Sequence, residues 1–305
     1  MVRFYMAVGI AAAGKSTIYN LNYSHAVYVS SDAIREEVFG DVNDQTHNGE
    51  VFNIMLKRTR EALKAGADVF YDATNINAKR RINLLKELSH IPNVQKICVL
   101  VVPPFERIKI QNANRERQVP DYVLDRMLRN FEVPHESEGW DEIVMFGNSL
   151  DKRYLESELA KAMEISHDNH HHSETIGQHM VLAEDYIIEK KHQEFKLNKR
   201  MPGAEFWWIQ VAARYHDLGK PYCKVFHNAR NEPTEEAHYY NHENVGAYMF
   251  LSHAADCWSS LYIANLIQHH MDHYKSGYVE KLAQRFDAEF MAHLALLNEA
   301  DRAAH

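Results

Sequence analysis

Residues 9–17 read Gly-Ile-Ala-Ala-Ala-Gly-Lys-Ser-Thr and directly follow the apolar run 4–8. This is the Gly-x-x-x-x-Gly-Lys-Ser/Thr pattern of a phosphate-binding loop, in the required place between a predicted strand and a predicted helix. The glycines let backbone N–H groups turn toward phosphate oxygens, and the N-terminus of the next helix adds its dipole. The pattern therefore predicts a domain that binds ATP or GTP together with Mg²⁺.

Contacts to the nucleotide are predicted along the loop, at Gly9, Ala13, Gly14, Lys15, Ser16 and Thr17. In this pattern Lys15 reaches the β- and γ-phosphates, and Ser16 holds Mg²⁺. Asp72 follows the next apolar run, 69–71, and is also predicted to contact the cofactor. Two roles remain open for Asp72, which could hold Mg²⁺ through water or orient Arg35.

Composition limits the class of protein. The chain has 305 residues, of which 46% are hydrophobic and 25% charged, so we expect a core-forming protein of one large or two ordinary domains. The net charge of −8 argues against broad non-specific binding to nucleic acid, although a local basic groove is compatible with it. Three dispersed cysteines predict no disulfide framework, and the N-terminal apolar run is too short for a signal peptide. We expect a soluble, cytoplasmic protein.

The histidines divide the chain into two parts. Only 4 of the 20 precede residue 150. Apolar runs at 26–30, 69–71, 95–102 and 143–146 predict strands that alternate with helices at 16–22, 49–65, 105–114 and 121–131. Beyond residue 151 only helices are predicted, at 155–165, 173–190, 204–217, 235–253, 259–274 and 287–304. We therefore predict a parallel-sheet α/β domain over 1–150 and an all-α domain over 151–305.

Charged residues gather where predicted strands end. Asp32 and Arg35 follow the strand 26–30 at the rim where open α/β sheets bind ligands, although a helix cap with a one-turn ion pair fits equally well. Arg115 and Arg117 lie between two predicted helices and suit a lid that neutralises phosphate charge. The cluster 79–81 (Lys-Arg-Arg) is predicted to be a solvated helix face, with phosphate contact as the less favoured interpretation.

These motifs together resemble the polynucleotide 5′-hydroxyl kinases over nearly all of the first half. The resemblance rests on the phosphate loop, Ser31-Asp32-x-x-Arg35, Asp72-x-Thr74-Asn75, Asn112-x-x-Arg115-x-Arg117, Val119-Pro120 and the tail Glu138-Gly139-Trp140-Asp141. It implies that Asp32 is the general base for an acceptor 5′-hydroxyl and that Arg35 clamps the adjoining phosphate. Lys15 and one or both of Arg115 and Arg117 would then stabilise the transferring γ-phosphoryl group.

A dispersed set of imidazoles and carboxylates marks the second half: His179, His216-Asp217, His242, His270 and Asp301. Such ligands suit first-row transition metals. The arrangement resembles the HD phosphohydrolase superfamily. That resemblance implies one metal on His179, His216, Asp217 and Asp301, and a second on Asp217, His242 and His270, with His270 preferred over its neighbour His269. The ions would be Mn²⁺, Ni²⁺, Co²⁺ or Fe²⁺.

Two further features of the second half concern the substrate. Lys220, three residues after Asp217, could pair with a phosphate group. The tract 167–172 (His-Asp-Asn-His-His-His) could be a polar helix cap, an adventitious metal site or a substrate contact, and we favour substrate contact through His171 or His172.

The two resemblances together predict an enzyme that repairs broken nucleic-acid ends, RNA rather than DNA. The first domain would phosphorylate a 5′-hydroxyl with ATP, and the second would remove a 3′-phosphate or hydrolyse a 2′,3′-cyclic phosphate. RNA cleavage often leaves both lesions, and a ligase acting downstream would need both repaired. The alternatives are a nucleoside or small-molecule kinase fused to a nucleotidase, and a nucleotide-gated nucleic-acid-binding regulator.

Overall fold

The computed structural model describes residues 1–170, 173–198 and 203–304. The chain forms two compact units, of which the first comprises Met1–Met127 and Pro134–Asn148. The second comprises Leu128–Val133 and the chain from Ser149 onward. The sequence predicts a single boundary at residue 150, whereas the structure assigns the hexapeptide 128–133 to the second unit.

Apolar packing explains the assignment of the hexapeptide. Phe131 and Val133 are fully buried, and the Phe131 ring meets that of Tyr248 edge to face at 5.0 Å between centroids. The backbone N–H of Val133 donates to Gln268 Oε1 at 2.9 Å. A buried apolar pair and a satisfied backbone donor hold this segment in the second unit.

The first unit contains a parallel sheet. In chain order its strands are β1 (Val2–Val8), β2 (Val27–Ser30), β3 (Val69–Asp72), β4 (Val94–Val101) and β5 (Glu142–Phe146). Their order in the sheet is β2-β3-β1-β4-β5, and every neighbouring pair is parallel. Residues 4–8 of β1 are all buried, as in strands covered on both faces. The prediction of a parallel α/β domain is confirmed.

Helices connect these strands. They are α1 (Lys15–Ile18), α2 (Ser31–Phe39), α3 (Asn48–Lys64), α4 (Ala78–Leu88), α5 (Phe105–Ala113) and α6 (Asp121–Arg129), with a 3₁₀ turn at Glu136–Glu138. The helix predicted at 16–22 is wrong in part, because α1 continues into a π-helical turn at Tyr19–Tyr23. Since β1 leads into α1 at the carboxyl end of the sheet, the phosphate loop lies at the rim where such sheets bind ligands.

The second unit is mainly helical. Its helices are α7 (Lys152–Ala162), α8 (Ile176–Asn198), α9 (Ala204–Tyr215), α10 (Lys220–Cys223), α11 (His242–His253), α12 (Trp258–His269), α13 (Tyr278–Ala283) and α14 (Ala288–Ala303), with a 3₁₀ turn at His270–Tyr274. Nearly every residue of α11 and α12 is buried, as in helices that other elements surround. Among the described residues, no helix combines the length and the apolar character that a membrane span requires.

The prediction of an all-α second half is wrong at one place. Strands β6 (Lys224–His227) and β7 (Pro233–Tyr239) form an antiparallel hairpin, where the sequence analysis expected a helix from residue 235. The Asn228 side chain accepts hydrogen bonds from the N–H groups of Arg230 and Glu232. Asn231 adopts a left-handed conformation with φ 62°. Local asparagine bonding of this kind stabilises a turn at the expense of helix.

Candidate active sites

The phosphate loop links β1 to α1 through a tightly turned backbone. Gly14 has φ 97°, a conformation that glycine adopts without steric cost. The Gly9 N–H donates to the carbonyl oxygen of Thr74 at 2.9 Å, and a Cβ at Gly9 would lie 2.6 Å from the carbonyl oxygen of Val101. Glycine is therefore needed at both ends of the loop, for close approach at Gly9 and for a left-handed turn at Gly14.

Lys15 curls back into the loop. Its ammonium donates to the carbonyl oxygens of Gly9 at 3.2 Å and Ile10 at 2.9 Å. Burial lowers the pKa of Lys15, while the charges of Asp72 and Asp32 oppose that shift. Both carboxylates thus affect the pKa of the ammonium. The two carbonyl oxygens that accept its hydrogen bonds carry no net charge, and a phosphate group in the loop would supply a negative charge.

Ser16, Asp72 and Tyr28 form a hydrogen-bonded group beside the loop. Ser16 Oγ donates to Asp72 Oδ2 at 3.1 Å, and the Tyr28 hydroxyl donates to the same oxygen at 2.5 Å. No hydrogen bond among the described residues joins Asp72 to Arg35. Of the two roles left open for Asp72, the arrangement favours the one at the Mg²⁺ position, next to the predicted ligand Ser16.

Asp32 lies between two guanidinium groups. Arg35 contacts Asp32 Oδ1 at 3.1 Å, and Arg117 contacts Asp32 Oδ2 at 2.9 Å. Asn48 Oδ1 accepts from Arg35 at 2.6 Å, and Asn43 Oδ1 accepts from Arg117 at 2.7 Å. The structure therefore brings Asp32, Arg35 and Arg117 together. It adds Asn43, in the loop between α2 and α3, and Asn48, the first residue of α3, neither of which a sequence pattern singled out.

The remaining loop and lid residues lie around this group. Ala13 is buried, whereas Thr17 and Arg115 are exposed. The charge of Arg115 contributes to lowering the pKa of Lys15. Asn112 stabilises the turn that carries Arg115 and Arg117. Its side chain accepts a hydrogen bond from the Val119 N–H at 2.9 Å and donates one to the Val119 carbonyl oxygen at 2.8 Å.

The prediction of a solvated face for the basic cluster 79–81 is confirmed for Lys79 and Arg80, which are exposed, and is wrong for Arg81. Its side chain is fully buried and forms two bonds to Glu138, at 2.7 and 2.6 Å. Trp140 Nε1 donates to Glu138 Oε2 at 3.0 Å. Arg81 also donates to the carbonyl oxygen of Asn75 at 3.1 Å, and the Asn75 amide reaches the Ala7 carbonyl at 2.7 Å. Arg81 is thus neither solvated nor a phosphate contact, and it supports the segment after β3.

The second candidate site draws on five segments of the second unit. His179 lies in the first turn of α8, His216 and Asp217 follow α9, His242 begins α11, His270 follows α12, and Asp301 lies in α14. None of these side chains belongs to a residue more than 7% exposed. A Cβ at Gly219 would lie 2.1 Å from the His242 carbonyl oxygen, so glycine is needed where α10 approaches α11.

Asp217 bridges two groups of imidazoles. Its Oδ2 lies 3.4 Å from His216 Nε2 and 3.7 Å from His179 Nε2. Its Oδ1 lies 3.1 Å from His242 Nε2 and 3.5 Å from His270 Nε2. The two oxygens of one carboxylate therefore face different pairs of histidines.

Asp301 completes the first group. Its Oδ1 lies 2.9 Å from His179 Nε2 and 3.4 Å from His216 Nε2. The donor atoms of His179, His216 and Asp301 all lie within 4.8 Å of one another, and the same is true of His216, Asp217 and His270. Both sets could hold a metal ion.

The Nδ1 atoms of four histidines in the cluster orient their rings through hydrogen bonds to the backbone. In each of the four, Nδ1 lies within hydrogen-bond distance of a backbone carbonyl: His179 with Ala304, His216 with Ala213, His242 with Tyr239, and His270 with Ile267. An Nδ1–H that donates to a carbonyl leaves Nε2 as the free lone pair. All four Nε2 atoms point toward Asp217 or Asp301, which is the orientation of metal ligands.

The buried charges of the cluster act on one another. Burial would raise the pKa of Asp217, but Lys220 and His216 outweigh it and hold that pKa well below its usual range. Burial would lower the pKa of His216, but Asp217 and Asp301 raise it to about 10. His216 Nε2 and both oxygens of Asp217 are buried without a hydrogen bond of acceptable geometry, despite their short distances to other charged atoms. The imidazole and carboxylate donors and these unsatisfied atoms fit a divalent transition metal.

Lys220 and His167 lie at the edge of the cluster. Lys220 Nζ is 2.5 Å from Asp217 Oδ2 and 3.4 Å from His167 Nε2. His167 is buried, and its Nδ1 lies 3.1 Å from the Glu174 carbonyl oxygen. His171 and His172, for which we predicted substrate contact, lie outside the described residues.

His269 and His270 have different surroundings. His269 Nδ1 lies 2.5 Å from Asp272 Oδ2, and its ring packs edge to face on Phe286. His270 faces Asp217. The structure thus places His270, and not His269, in the cluster.

Comparisons with known proteins concern the first unit. Residues 5–134 match the family described as an AAA domain. No curated protein matches the chain. Among solved structures, an unliganded sugar kinase from Janibacter sp. HTCC2649 matches with 16% identity and a TM-score of 0.37, over 48% of this chain and 86% of that one. A likeness at this TM-score specifies no substrate. The first unit is a P-loop α/β domain.

Proposed function

We propose that the chain is a two-activity enzyme for the repair of broken nucleic-acid ends, RNA in preference to DNA. The first unit transfers the γ-phosphoryl group of ATP to a 5′-hydroxyl. The second hydrolyses a phosphate ester at the 3′ end, either a 3′-phosphate or a 2′,3′-cyclic phosphate. The resulting ends would be substrates for a ligase acting downstream.

The observation that carries the kinase assignment is the Asp32 carboxylate held between Arg35 and Arg117. Phosphoryl transfer needs a base for the hydroxyl, positive charge at the transferring group and correct positioning. Asp32 would accept the hydroxyl proton, and Arg35 would grip the phosphate next to the acceptor hydroxyl. The buried Arg35 Nε makes no hydrogen bond, so a ligand could satisfy it.

Lys15, Arg115 and Arg117 would stabilise the γ-phosphoryl group. The charges of Asp32 and Arg115 both act on the pKa of Lys15, which supports this assignment. Ser16 and Asp72 would hold Mg²⁺, which would neutralise phosphate charge. Arg117 contacts Asp32 in the structure, so it would have to leave Asp32 to reach the phosphate.

In the second unit, His179, His216, Asp217, Asp301, His242 and His270 would hold two divalent metal ions. Such ions polarise a phosphate ester and activate water when bound. Asp217 would bridge them, since its two oxygens face different histidines. Lys220 would neutralise the ester phosphate, which requires its ammonium to move away from Asp217.

A second candidate function is favoured by one observation on Arg35. Both of its terminal nitrogens are already occupied, by Asp32 and by Asn48. The terminal nitrogens of Arg35 therefore do not need an acceptor phosphate, and small-molecule kinases share the phosphate loop and the lid arginines. A nucleoside or small-molecule kinase joined to a nucleotidase would fit this arrangement.

A single substrate tests the proposal. A short RNA with a 5′-hydroxyl and a 2′,3′-cyclic phosphate is incubated with ATP, Mg²⁺ and Mn²⁺, and both ends are analysed by mass spectrometry. We expect phosphate gain at the 5′ end, lost in Lys15→Ala, and hydrolysis at the 3′ end, lost in Asp217→Ala. Each variant serves as the control for the other because it should retain the opposite activity.

Other outcomes decide against the proposal. If neither end changes while free nucleosides are phosphorylated, the small-molecule assignment replaces it. If each single substitution removes both activities from a folded protein, the two activities do not belong to separate sites.

A further inference from the structure

Tyr28 lies at the predicted Mg²⁺ position, although no sequence pattern pointed to it. Its hydroxyl donates to Asp72 Oδ2 at 2.5 Å and lies 3.4 Å from Ser16 Oγ. Ser16 donates to the same carboxylate oxygen. Three oxygen atoms thus converge next to the phosphate loop, and one of them belongs to a residue without an assigned role.

The Tyr28 ring is held in place by its neighbours. It stacks on the ring of Tyr19 at 4.3 Å between centroids with 27° between planes. In the parallel pairing of β2 with β3, Tyr28 lies opposite Phe70 and Ser30 lies opposite Asp72. The parallel pairing of β2 with β3 and the ring stack fix where the hydroxyl points.

The hydrogen bond from the Tyr28 hydroxyl occupies one of the two oxygens of the Asp72 carboxylate. Both hydrogen bonds that Asp72 accepts from side chains go to Oδ2. Within the described part of the chain, Oδ1 accepts no hydrogen bond and remains available to a ligand.

We propose that Tyr28 is a positioning residue for the Mg²⁺ of the bound nucleotide. By holding Oδ2, the hydroxyl orients the Asp72 carboxylate so that Oδ1 can accept a hydrogen bond from the hydration shell of the ion. Groups that orient metal-binding carboxylates typically contribute about 10–100-fold to metal affinity. This inference rests on the proposed nucleotide-binding function of the first unit.

The test compares two substitutions that each remove one hydroxyl from the same ring stack. Tyr28→Phe keeps the stack and loses the bond to Asp72. Tyr19→Phe is the matched control, because the Tyr19 hydroxyl donates to the Ala26 carbonyl at 3.2 Å and not to Asp72. Binding of a fluorescent ATP analogue is measured over a series of Mg²⁺ concentrations and in EDTA.

We expect Tyr28→Phe to raise the Mg²⁺ concentration for half-maximal binding about 10-fold or more. Its affinity for the metal-free nucleotide in EDTA should match the wild type, and Tyr19→Phe should match in both conditions. A double-mutant cycle gives a second readout. If Tyr28 acts through Asp72, Tyr28→Phe should have no further effect in an Asp72→Ala background.

The outcomes separate this inference from the function on which it rests. If the wild type binds no nucleotide with or without Mg²⁺, the proposed nucleotide function fails. If the wild type shows Mg²⁺-dependent binding that Tyr28→Phe leaves unchanged, the inference on Tyr28 fails. Equal weakening in EDTA and in Mg²⁺ would also overturn it, because Tyr28 would then support the loop and not the ion.

Discussion

Each unit buries a set of charged side chains, and the two sets are satisfied differently. In the first unit, Arg81 and Glu138 form a bidentate pair with both side chains fully buried, and Trp140 and Asn75 supply further bonds. In the second unit, Asp217 is equally buried, but its oxygens face imidazoles and Lys220 without acceptable hydrogen-bond geometry. In the first set, Arg81 and Glu138 form hydrogen bonds to each other, and we call them the complete set. In the second set, both oxygens of Asp217 lack hydrogen bonds to the described residues, and we call the residues around Asp217 the incomplete set.

From this difference we expect a structural role for the first set and a functional role for the second. A buried charge is tolerated when an opposite charge and hydrogen bonds compensate for lost hydration. Arg81 and Glu138 meet this condition by themselves and hold the segment after β3. Within the described part of the chain, Nε2 of His216 and both oxygens of Asp217 lack such hydrogen bonds, so we expect an added cation to satisfy them. The second set is therefore expected to respond to metal, and the first is not.

The largest expected effect concerns the complete set. Arg81→Met leaves Glu138 buried without its partner, which should destabilise the first unit by about 3–5 kcal/mol. Arg80→Met is the matched control, because Arg80 is exposed on the same helix, and it should change stability by no more than about 0.5 kcal/mol. Hydrogen exchange of the strand amides in the first unit measures both. Equal protection in the two variants would contradict a structural role for Arg81.

The next effect concerns the incomplete set. Mn²⁺ at about 100 times its dissociation constant should stabilise the wild type by about 2.7 kcal/mol. Asp217→Asn should lose this stabilisation and, in chelator, should be less stable than the wild type, because it removes the carboxylate that compensates the buried charges of Lys220 and His216. Thermal unfolding with and without Mn²⁺ measures both effects. Glu138→Gln is the control, since it should lower stability yet keep the response to Mn²⁺.

A third prediction concerns the backbone that holds the incomplete set. In Gly219→Ala the new Cβ would meet the His242 carbonyl oxygen at 2.1 Å, which should cost about 1–3 kcal/mol and weaken Mn²⁺ binding. Gly49→Ala is the control, because a Cβ there meets nothing within 4 Å. Isothermal titration with Mn²⁺ and urea unfolding measure the two effects. Unchanged metal affinity in Gly219→Ala would show that the approach of α10 to α11 does not position the ligands.

The smallest expected effect is a change in the pH dependence of stability at the buried residue His253. His253 stacks on Tyr154 at 3.8 Å, and burial lowers its pKa, in contrast to the raised pKa of His216. The unfolded chain then binds the proton more tightly, so the stabilising contribution of neutral His253 is present above about pH 6.5 and is lost as the pH falls. His253→Gln should lose less stability than the wild type between pH 7 and pH 5 in chelator, measured by urea unfolding. An equal loss would show that other groups dominate the acid response of this unit.

Local patterns predicted the first unit well. The residues of the phosphate loop are contiguous, so their spacing alone indicates the turn and the helix that follows it. Long apolar runs predicted the strands because burial on both faces requires them. The pattern failed at Arg81, since its partner Glu138 lies 57 residues away and an isolated basic cluster gives no sign of burial.

The dispersed site depended more on tertiary structure. The six side chains proposed as ligands span residues 179 to 301, and only the resemblance to the HD superfamily grouped them in the sequence. The structure brings them within a few ångströms of one another, and their role in metal binding stays a prediction. The hairpin at 224–239 was missed because its asparagine turn was not recognised.

By itself the sequence determined that the chain begins with a phosphate loop in a parallel α/β domain and continues into a helical region rich in histidine. These features are local, since backbone spacing and apolar periodicity fix them within short segments. Only the tertiary structure decided that Tyr28 donates to Asp72, that Arg81 is buried on Glu138, and that Asp217 faces two pairs of histidines. Each of these depends on how distant segments pack, because the direction of a side chain is set by the elements around it.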